Sequence, residues 1–198
     1  MAWLSRLSFA VALVASTLGA QASLTPRGSG MVYDDVQNLT WLHDWNQGAG
    51  SSYDNGNSTT DGRMTWTNAN DWANNLVYGG FDDWRLPTGD GNQPAGASNE
   101  FLSVWNAAGG SPITFQPIFA NVVANYYWSS TEYAPNPDSV WAFFFPFYGY
   151  PLRNEVNVFF AVAVRSGDVA EVVPEPQTMA LVILALGVGW TATRRRQR

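Results

Sequence analysis

The chain has 198 residues, of which 46% are hydrophobic and 15% aromatic, so it can bury a core and is not disordered by composition. It contains neither cysteine nor lysine, which excludes disulfides, thiolate metal sites and cysteine nucleophiles. Residues 23–171 carry five arginines and fifteen acidic residues, a net charge of −10, and this disfavours binding to the phosphate backbone of nucleic acids.

The first 22 residues are typical of a cleavable signal peptide. Arg6 precedes an apolar stretch from Leu7 to Leu18, which is shorter than the ~20 residues that span a membrane. Ala20-Gln21-Ala22 then places small residues at the two positions that a signal peptidase reads. We therefore expect cleavage between Ala22 and Ser23, with an uncleaved membrane anchor as the alternative.

The next part of the chain predicts a short hairpin, a loop and a helix. Strands are predicted at Met31–Asp34 and Leu39–Leu42, after a polar lead from Ser23 to Gly30. Residues 46–62 are rich in Gly, Ser, Asn, Asp and Thr and predict a polar loop. A helix capped by Thr65 and ended by Gly79-Gly80 follows, because Ala69, Trp72, Ala73 and Leu76 form one apolar stripe.

The second half predicts a further helix and then sheet. Trp84–Thr88 reads as a short strand stopped by proline, and a helix capped by Ser98 and ended by Gly109-Gly110 follows a polar loop. Three more strands are predicted at Tyr126–Thr131, Val140–Phe145 and Asn157–Arg165. Helices first and antiparallel strands later indicate an α+β domain over residues 23–171.

Residues 172–198 contain three parts in a fixed order. Val173, Pro174, Glu175 and Pro176 form an extended, accessible segment, since prolines do not continue a helix. An apolar run from Met179 to Ala192 is near the lower length limit of a transmembrane helix, and the arginines of 194–198 favour a cytoplasmic end.

These three parts together resemble the PEP-CTERM sorting signal. The resemblance implies recognition by an exosortase in a Gram-negative envelope, transient anchoring in the inner membrane and cleavage near Pro174–Pro176. Delivery to the cell surface or the exopolysaccharide matrix would follow. A plain single-pass anchor is the alternative.

The middle of the chain resembles the Lcl C-terminal domain family over roughly residues 30–168. The resemblance rests on an ordered set of segments: Gly30–Asp34 with Leu39–Leu42, Met64-Thr65-Trp66, Trp84–Thr88, Tyr127–Glu132 with Trp141, and Ala163–Gly167. The family is similar to C-type lectin-like folds, which implies two helices beside an antiparallel sheet and paired terminal strands. It is named for a collagen-like adhesin that binds anionic glycans, and this acidic, lysine-free domain departs from that adhesin in charge.

Aromatic residues have two interpretations here. Trp84, Trp128, Trp141 and Phe143 to Phe145 are predicted in the core, and Arg85 is predicted to pair with Asp82 or Asp83. Tyr133, Tyr148 and Tyr150 are predicted in turns, where a flat ring can stack on the apolar face of a sugar. These three tyrosines are the candidate ligand-binding residues.

Asp54, Asn57 and Asp61 are candidate calcium ligands, because calcium prefers several oxygen donors. The segment does not match the EF-hand pattern, and Asn and Asp also populate ordinary turns. No cofactor is otherwise indicated.

The sequence predicts a non-enzymatic glycan-binding or adhesion module, processed by signal peptidase and exosortase and facing extracellular polysaccharide. Two alternatives stay open: a structural matrix protein without a specific ligand, and a polysaccharide hydrolase built on paired carboxylates. No nucleophile elbow or phosphate-binding loop appears, and His43 is the only histidine.

Overall fold

The computed structural model of the protein describes residues 23–145 and 149–169. The predicted signal peptide, the sorting segment and residues 146–148 lie outside the described residues. Within the described ranges, no helix is long and apolar enough to cross a membrane.

Those ranges contain nine strands and three short helices. The helices are α1 (Trp66–Asn74), α2 (Glu100–Ala107) and α3 (Pro112–Phe115). The strands are β1 (Leu24–Arg27), β2 (Met31–Asp34), β3 (Leu39–Leu42), β4 (Arg63–Met64), β5 (Tyr126–Glu132), β6 (Ser139–Phe144), β7 (Leu152–Asn154), β8 (Phe159–Phe160) and β9 (Val164–Ser166). The predicted α+β class is confirmed.

The strands form two sheets. The first sheet has the order β1-β2-β3-β9 and is antiparallel throughout. Its last strand in the chain, β9, pairs with β3, where Trp41 lies opposite Val164. The second has the order β4-β8-β5-β6-β7, and its β5–β8 pair is parallel. The segment between β8 and β9 therefore crosses from one sheet to the other.

That crossing corrects the prediction of one strand over residues 157–165. Phe160, Ala161, Val162, Ala163 and Val164 are all buried, because this segment passes between the sheets with both sides covered. The apolar residues at every second position predict one half-buried strand. A segment that is buried on both sides shows the same apolar residues without forming one continuous run of strand hydrogen bonds. The sequence pattern predicts neither β7 nor β1, whose Pro26 is tolerated because β1 lies at a sheet edge.

The two longer helices, α1 and α2, begin close to their predicted starts. The Thr65 side chain accepts a hydrogen bond from the Asn68 N–H, as expected for the cap of α1. The end predicted at Gly79-Gly80 is wrong, because the Asn75 side-chain amide donates to the Asp71 carbonyl at 2.8 Å and α1 ends there. Asn99, not Ser98, caps α2 by accepting from the Leu102 N–H.

An aromatic cluster around Trp45 joins the two sheets and the helices. The Trp45 ring packs on five other rings with centroid distances from 4.8 to 6.0 Å: Trp41, Phe101, Phe115, Phe119 and Tyr127. All six rings are buried. Burial of such large side chains supplies most of the apolar area that drives folding.

Asp34 is the most completely buried of the three buried acidic residues in the described part of the chain. Asp34 is 0% exposed, and its Oδ1 accepts hydrogen bonds from the Val36 and Gln37 N–H groups. Its Oδ2 is buried and has no hydrogen-bond partner among the described residues. Burial raises the pKa of Asp34 above its ordinary value, because the carboxylate loses hydration when it is enclosed.

We expect Asp34→Asn to stabilise the protein at pH 7 by about 1 kcal/mol, or about 2–4 °C in Tm, because the amide keeps the turn acceptor and removes a buried charge. A raised folded-state pKa lowers stability above that pKa and has no effect below the ordinary value near 3.8. The advantage of the variant should therefore shrink as pH falls toward 3.8. Thermal melts of both proteins across pH measure this.

The control is Asp138→Asn, which removes a carboxylate from an exposed turn and should change stability by less than about 0.5 kcal/mol. A stability difference between Asp34→Asn and the parent that does not vary with pH would contradict a raised pKa of Asp34 in the folded state.

Candidate functional site

The loop from Thr88 to Asn99 is fixed where it meets α2 by a charged pair. The Glu100 carboxylate, 5% exposed, accepts from Arg85 Nη1 at 2.8 Å and Nη2 at 2.7 Å. The same carboxylate accepts from the Thr88 N–H at 2.9 Å. The hydrogen bond with Glu100 raises the pKa of Arg85 above its ordinary value, which keeps the guanidinium charged.

This pairing corrects the prediction that Arg85 binds Asp82 or Asp83. Arg85 is bridged to Val164 of β9, and Asp83 pairs instead with Arg165, whose Nε donates to Asp83 Oδ1 at 2.6 Å. Nearness in sequence suggests the wrong partner. A long-range contact brings Glu100, fifteen positions away, onto the guanidinium.

Asn99 holds the other side of the same loop. Its buried side-chain amide donates to the carbonyls of Asp90 at 3.0 Å and Gln93 at 2.9 Å. Its Oδ1 caps α2. One side chain thus fixes the loop conformation and starts the helix.

Two glycines let this loop lie directly on aromatic rings. A Cβ at Gly91 would stand 2.8 Å from both Trp141 Cζ3 and Tyr150 Cβ, and a Cβ at Gly89 would stand 3.0 Å from Tyr150 Cε1. No residue with a side chain fits at Gly91 without movement. Trp141 and Tyr150 therefore form the floor under the loop.

A groove of about 450 Å³ opens between the loop, α2 and β6. It is lined by Gly91, Asn92, Gln93, Asn99, Leu102, Trp141, Gly149 and Tyr150. A second hollow of about 410 Å³ adjoins it at Gln93 and is lined by Thr88, Asp90, Gln93, Ala97, Ser98 and Thr131. The volumes are typical of small-molecule sites, and the side chains combine amides, hydroxyls and two aromatic rings.

The structure places the three candidate tyrosines differently. Tyr150 lines the groove, but its ring packs against Phe143 at 5.5 Å and its hydroxyl is buried. Burial raises the Tyr150 pKa well above its ordinary value. Tyr133 packs edge-on against Trp141 at 5.7 Å and is not among the groove residues, and Tyr148 lies outside the described residues.

Sequence reasoning misses the polar half of the groove. Asn92 and Gln93 are exposed, and their side chains have no hydrogen bond within the described residues. Trp141, predicted in the core, is 8% exposed and also reaches the groove. The available signal is the Gly-Asn-Gln run between two predicted elements, a pattern that by itself predicts only a loop.

The three candidate calcium ligands have different partners: Asp61 and Asn57 contact Arg63, and Asp54 accepts main-chain N–H groups. Asp61 pairs with Arg63 at 2.7 Å and accepts from the N–H groups of Asn57 and Ser58. With its amide turned so that the oxygen faces Arg63, Asn57 accepts from Nη2 at 2.7 Å. Asp54 is buried elsewhere in the loop, where its Oδ2 accepts from the Gly50 and Gly62 N–H groups. Within the described part of the chain, no group of three or more His, Cys, Asp or Glu residues could hold a metal ion.

The predicted processing sites lie almost entirely beyond the described ranges. Val173, Pro174, Glu175, Pro176 and Ala22 are outside them, and Ser23 is the first residue described.

The fold and groove define a small α+β domain with an amide-lined, aromatic-floored groove beside its second sheet. The model of the Lcl C-terminal domain family matches residues 30–165, and the chain belongs to that family. No curated protein matches the sequence significantly.

We expect Glu100→Gln to destabilise the protein by about 2 kcal/mol, or about 4–8 °C in Tm, because it leaves the Arg85 guanidinium without its anion. Thermal unfolding measures the loss, and limited proteolysis should show faster cleavage within residues 89–98.

The matched control is Asp168→Asn, which breaks the Arg27–Asp168 pair, where the aspartate side chain is 36% exposed. That change should cost less than about 1 kcal/mol. Equal losses in the two variants would show that Glu100 has no special role in holding the loop.

Proposed function

We propose that the protein is an exported surface or matrix protein whose domain binds a neutral polysaccharide, without catalysis, through the groove beside Gln93. The observation that carries this proposal is the lining of the groove, which combines the exposed residues Asn92 and Gln93 with Trp141 and Tyr150.

Amide groups suit sugar hydroxyls because each amide both donates and accepts hydrogen bonds, as each hydroxyl does. Asn92 and Gln93 offer such groups, and no hydrogen bond within the described residues engages their side chains. Trp141, which is 8% exposed, and the half-buried Tyr150 add apolar edges that can contact the C–H groups of a sugar. The two hollows share Gln93, so an extended ligand bound in one can also contact the other.

Charge favours a neutral glycan over a sulfated or uronic one. Residues 23–171 carry a net charge of −10, and the described residues that line the two hollows include Asp90 and no arginine. An anionic polymer would be repelled both at long range and in the groove. The anionic ligand of the adhesin for which the family is named is therefore not carried over to this chain.

The same lining supports binding rather than hydrolysis. Glycoside hydrolases use two carboxyl groups roughly 5–9.5 Å apart across the scissile bond. Among the residues that line the two hollows, Asp90 alone carries a carboxylate. The nearby Glu100 is paired with Arg85 and the Thr88 N–H.

A C-type lectin-like arrangement is part of the proposal. The pairing of β3 with β9 brings the two ends of the domain together, as the resemblance implies. The two sheets and the short helices agree with such a fold at the level of class, and the groove lies on loops, where ligands bind in many folds.

The domain ends are compatible with removal of both terminal segments. Strand β1 begins at Leu24, and the Ser23 N–H donates to Asp35 Oδ1 at 2.8 Å, so a cut after Ala22 would leave every strand intact. The new amino terminus at Ser23 would carry a positive charge next to the Asp35 carboxylate, which adds an ion pair. The PEP-CTERM resemblance supports a second cut near Pro174–Pro176 by an exosortase.

We expect the double change Asn92→Ala and Gln93→Ala to weaken glycan binding roughly tenfold to thirtyfold, because two hydrogen bonds of about 1 kcal/mol each are lost. The measurement is binding of full-length protein to an array of neutral and sulfated polysaccharides, followed by titration of the best ligand.

The matched control is Asn74→Ala with Gln116→Ala, two exposed amides on other elements, which should leave affinity unchanged. Binding of the parent to sulfated polymers alone would contradict the charge argument. Binding to no polymer would favour a structural matrix role.

We expect mature protein from the native host to begin at Ser23 and to lack the apolar tail. Replacing Pro174 and Pro176 by alanine should leave the tail uncut and the protein in the membrane fraction, whereas Pro135→Ala with Pro137→Ala in the exposed turn should not. Amino-terminal sequencing, mass spectrometry and cell fractionation measure this, and an uncut parent protein would refute the sorting proposal.

A further inference from the structure

The loop between β3 and β4 buries a carboxylate oxygen that no donor satisfies. Asp54 is 5% exposed, and its Oδ2 accepts from the Gly50 N–H at 3.1 Å and the Gly62 N–H at 2.8 Å. Its Oδ1 is buried and has no hydrogen-bond partner within residues 23–145 and 149–169. A buried anionic oxygen without a donor or a cation is costly.

A second unsatisfied oxygen approaches the same glycine. The side-chain Oδ1 of Asn46 is buried and has no hydrogen-bond partner in the described part of the chain, and a Cβ at Gly62 would overlap it. Gly62 also donates its N–H to Asp54, so both side chains converge on this residue. Its φ of +81° is a conformation that suits glycine.

The arginine of this loop does not supply the missing positive charge. Arg63 donates from Nε and Nη2 to Asp61 instead. Asp44, close by along the chain, accepts from the Asn46 N–H and from the Asn121 side-chain amide. Two acceptor oxygens, one of them anionic, thus remain for a ligand from outside the chain.

We propose that the loop between β3 and β4 binds a calcium ion through Asp54 Oδ1 and Asn46 Oδ1. Carboxylate and amide oxygens are donors that calcium prefers, and this donor set contains no nitrogen or sulfur for zinc. Main-chain carbonyls of the loop and water would supply further ligands. The proposal does not depend on the proposed glycan function.

The proposed site differs from the one expected from sequence. Asn57 and Asp61 hold Arg63, while Asp54 and Asn46 carry the free oxygens. One carboxylate is a low charge count for calcium, so the affinity should lie in the range of about 10⁻⁴–10⁻³ M that extracellular modules use.

The test is a thermal melt of full-length protein in EDTA and in increasing calcium chloride. The parent should rise by about 3–6 °C when calcium is tenfold above its Kd. Magnesium should have less effect, because it requires stricter octahedral geometry. Terbium emission excited through the neighbouring tryptophans measures binding directly.

Three variants test which side chains hold the ion. Asp54→Asn should lose the calcium response, and Asn46→Asp should bind calcium at least tenfold more tightly because it adds a carboxylate. Asp61→Asn should keep the response, although it breaks the Arg63 pair. No response of the parent to calcium or terbium would overturn the proposal and assign the two oxygens to a buried water.

Discussion

The Arg85–Glu100 pair is the contact on which the arrangement of the groove depends. Arg85 is bridged to β9 in the first sheet, Glu100 opens α2, and the Thr88 N–H starts the groove loop. One carboxylate therefore joins the first sheet, a helix and a loop. Its low exposure strengthens each hydrogen bond and makes the loss of any partner costly.

This charged pair stands beside an interior that is otherwise aromatic. Phe101 follows Glu100 in the same turn of α2 and stacks on Phe143 of the second sheet at 5.0 Å, while also touching Trp41 of the first. The register of α2 is thus set twice, by a polar contact at its start and by ring packing along its buried side. A slip of one residue would break both.

Much of the fold follows from local patterns, and the groove does not. The strands at Met31, Leu39 and Tyr126 and the cap at Thr65 are predicted by alternation and capping chemistry, which are local. The pairing of Arg85 with Glu100 is a contact between residues distant in sequence. The division of residues 157–165 into β8 and β9 depends on which sheet each part joins. The groove needs Gly91 to lie on Trp141, a contact between segments fifty residues apart, which no short-range pattern contains.

The two long polar loops share one principle and differ in how their charge is balanced. In each, a buried carboxylate accepts main-chain N–H groups: Glu100 from Thr88, and Asp54 from Gly50 and Gly62. Glu100 has Arg85 as its counter-charge, whereas the Asp54 Oδ1 has no partner. The first loop is therefore complete within the chain, and an ion from the surroundings would complete the second. If the calcium proposal holds, we expect the order of the second loop to depend on the calcium concentration, while the groove loop does not.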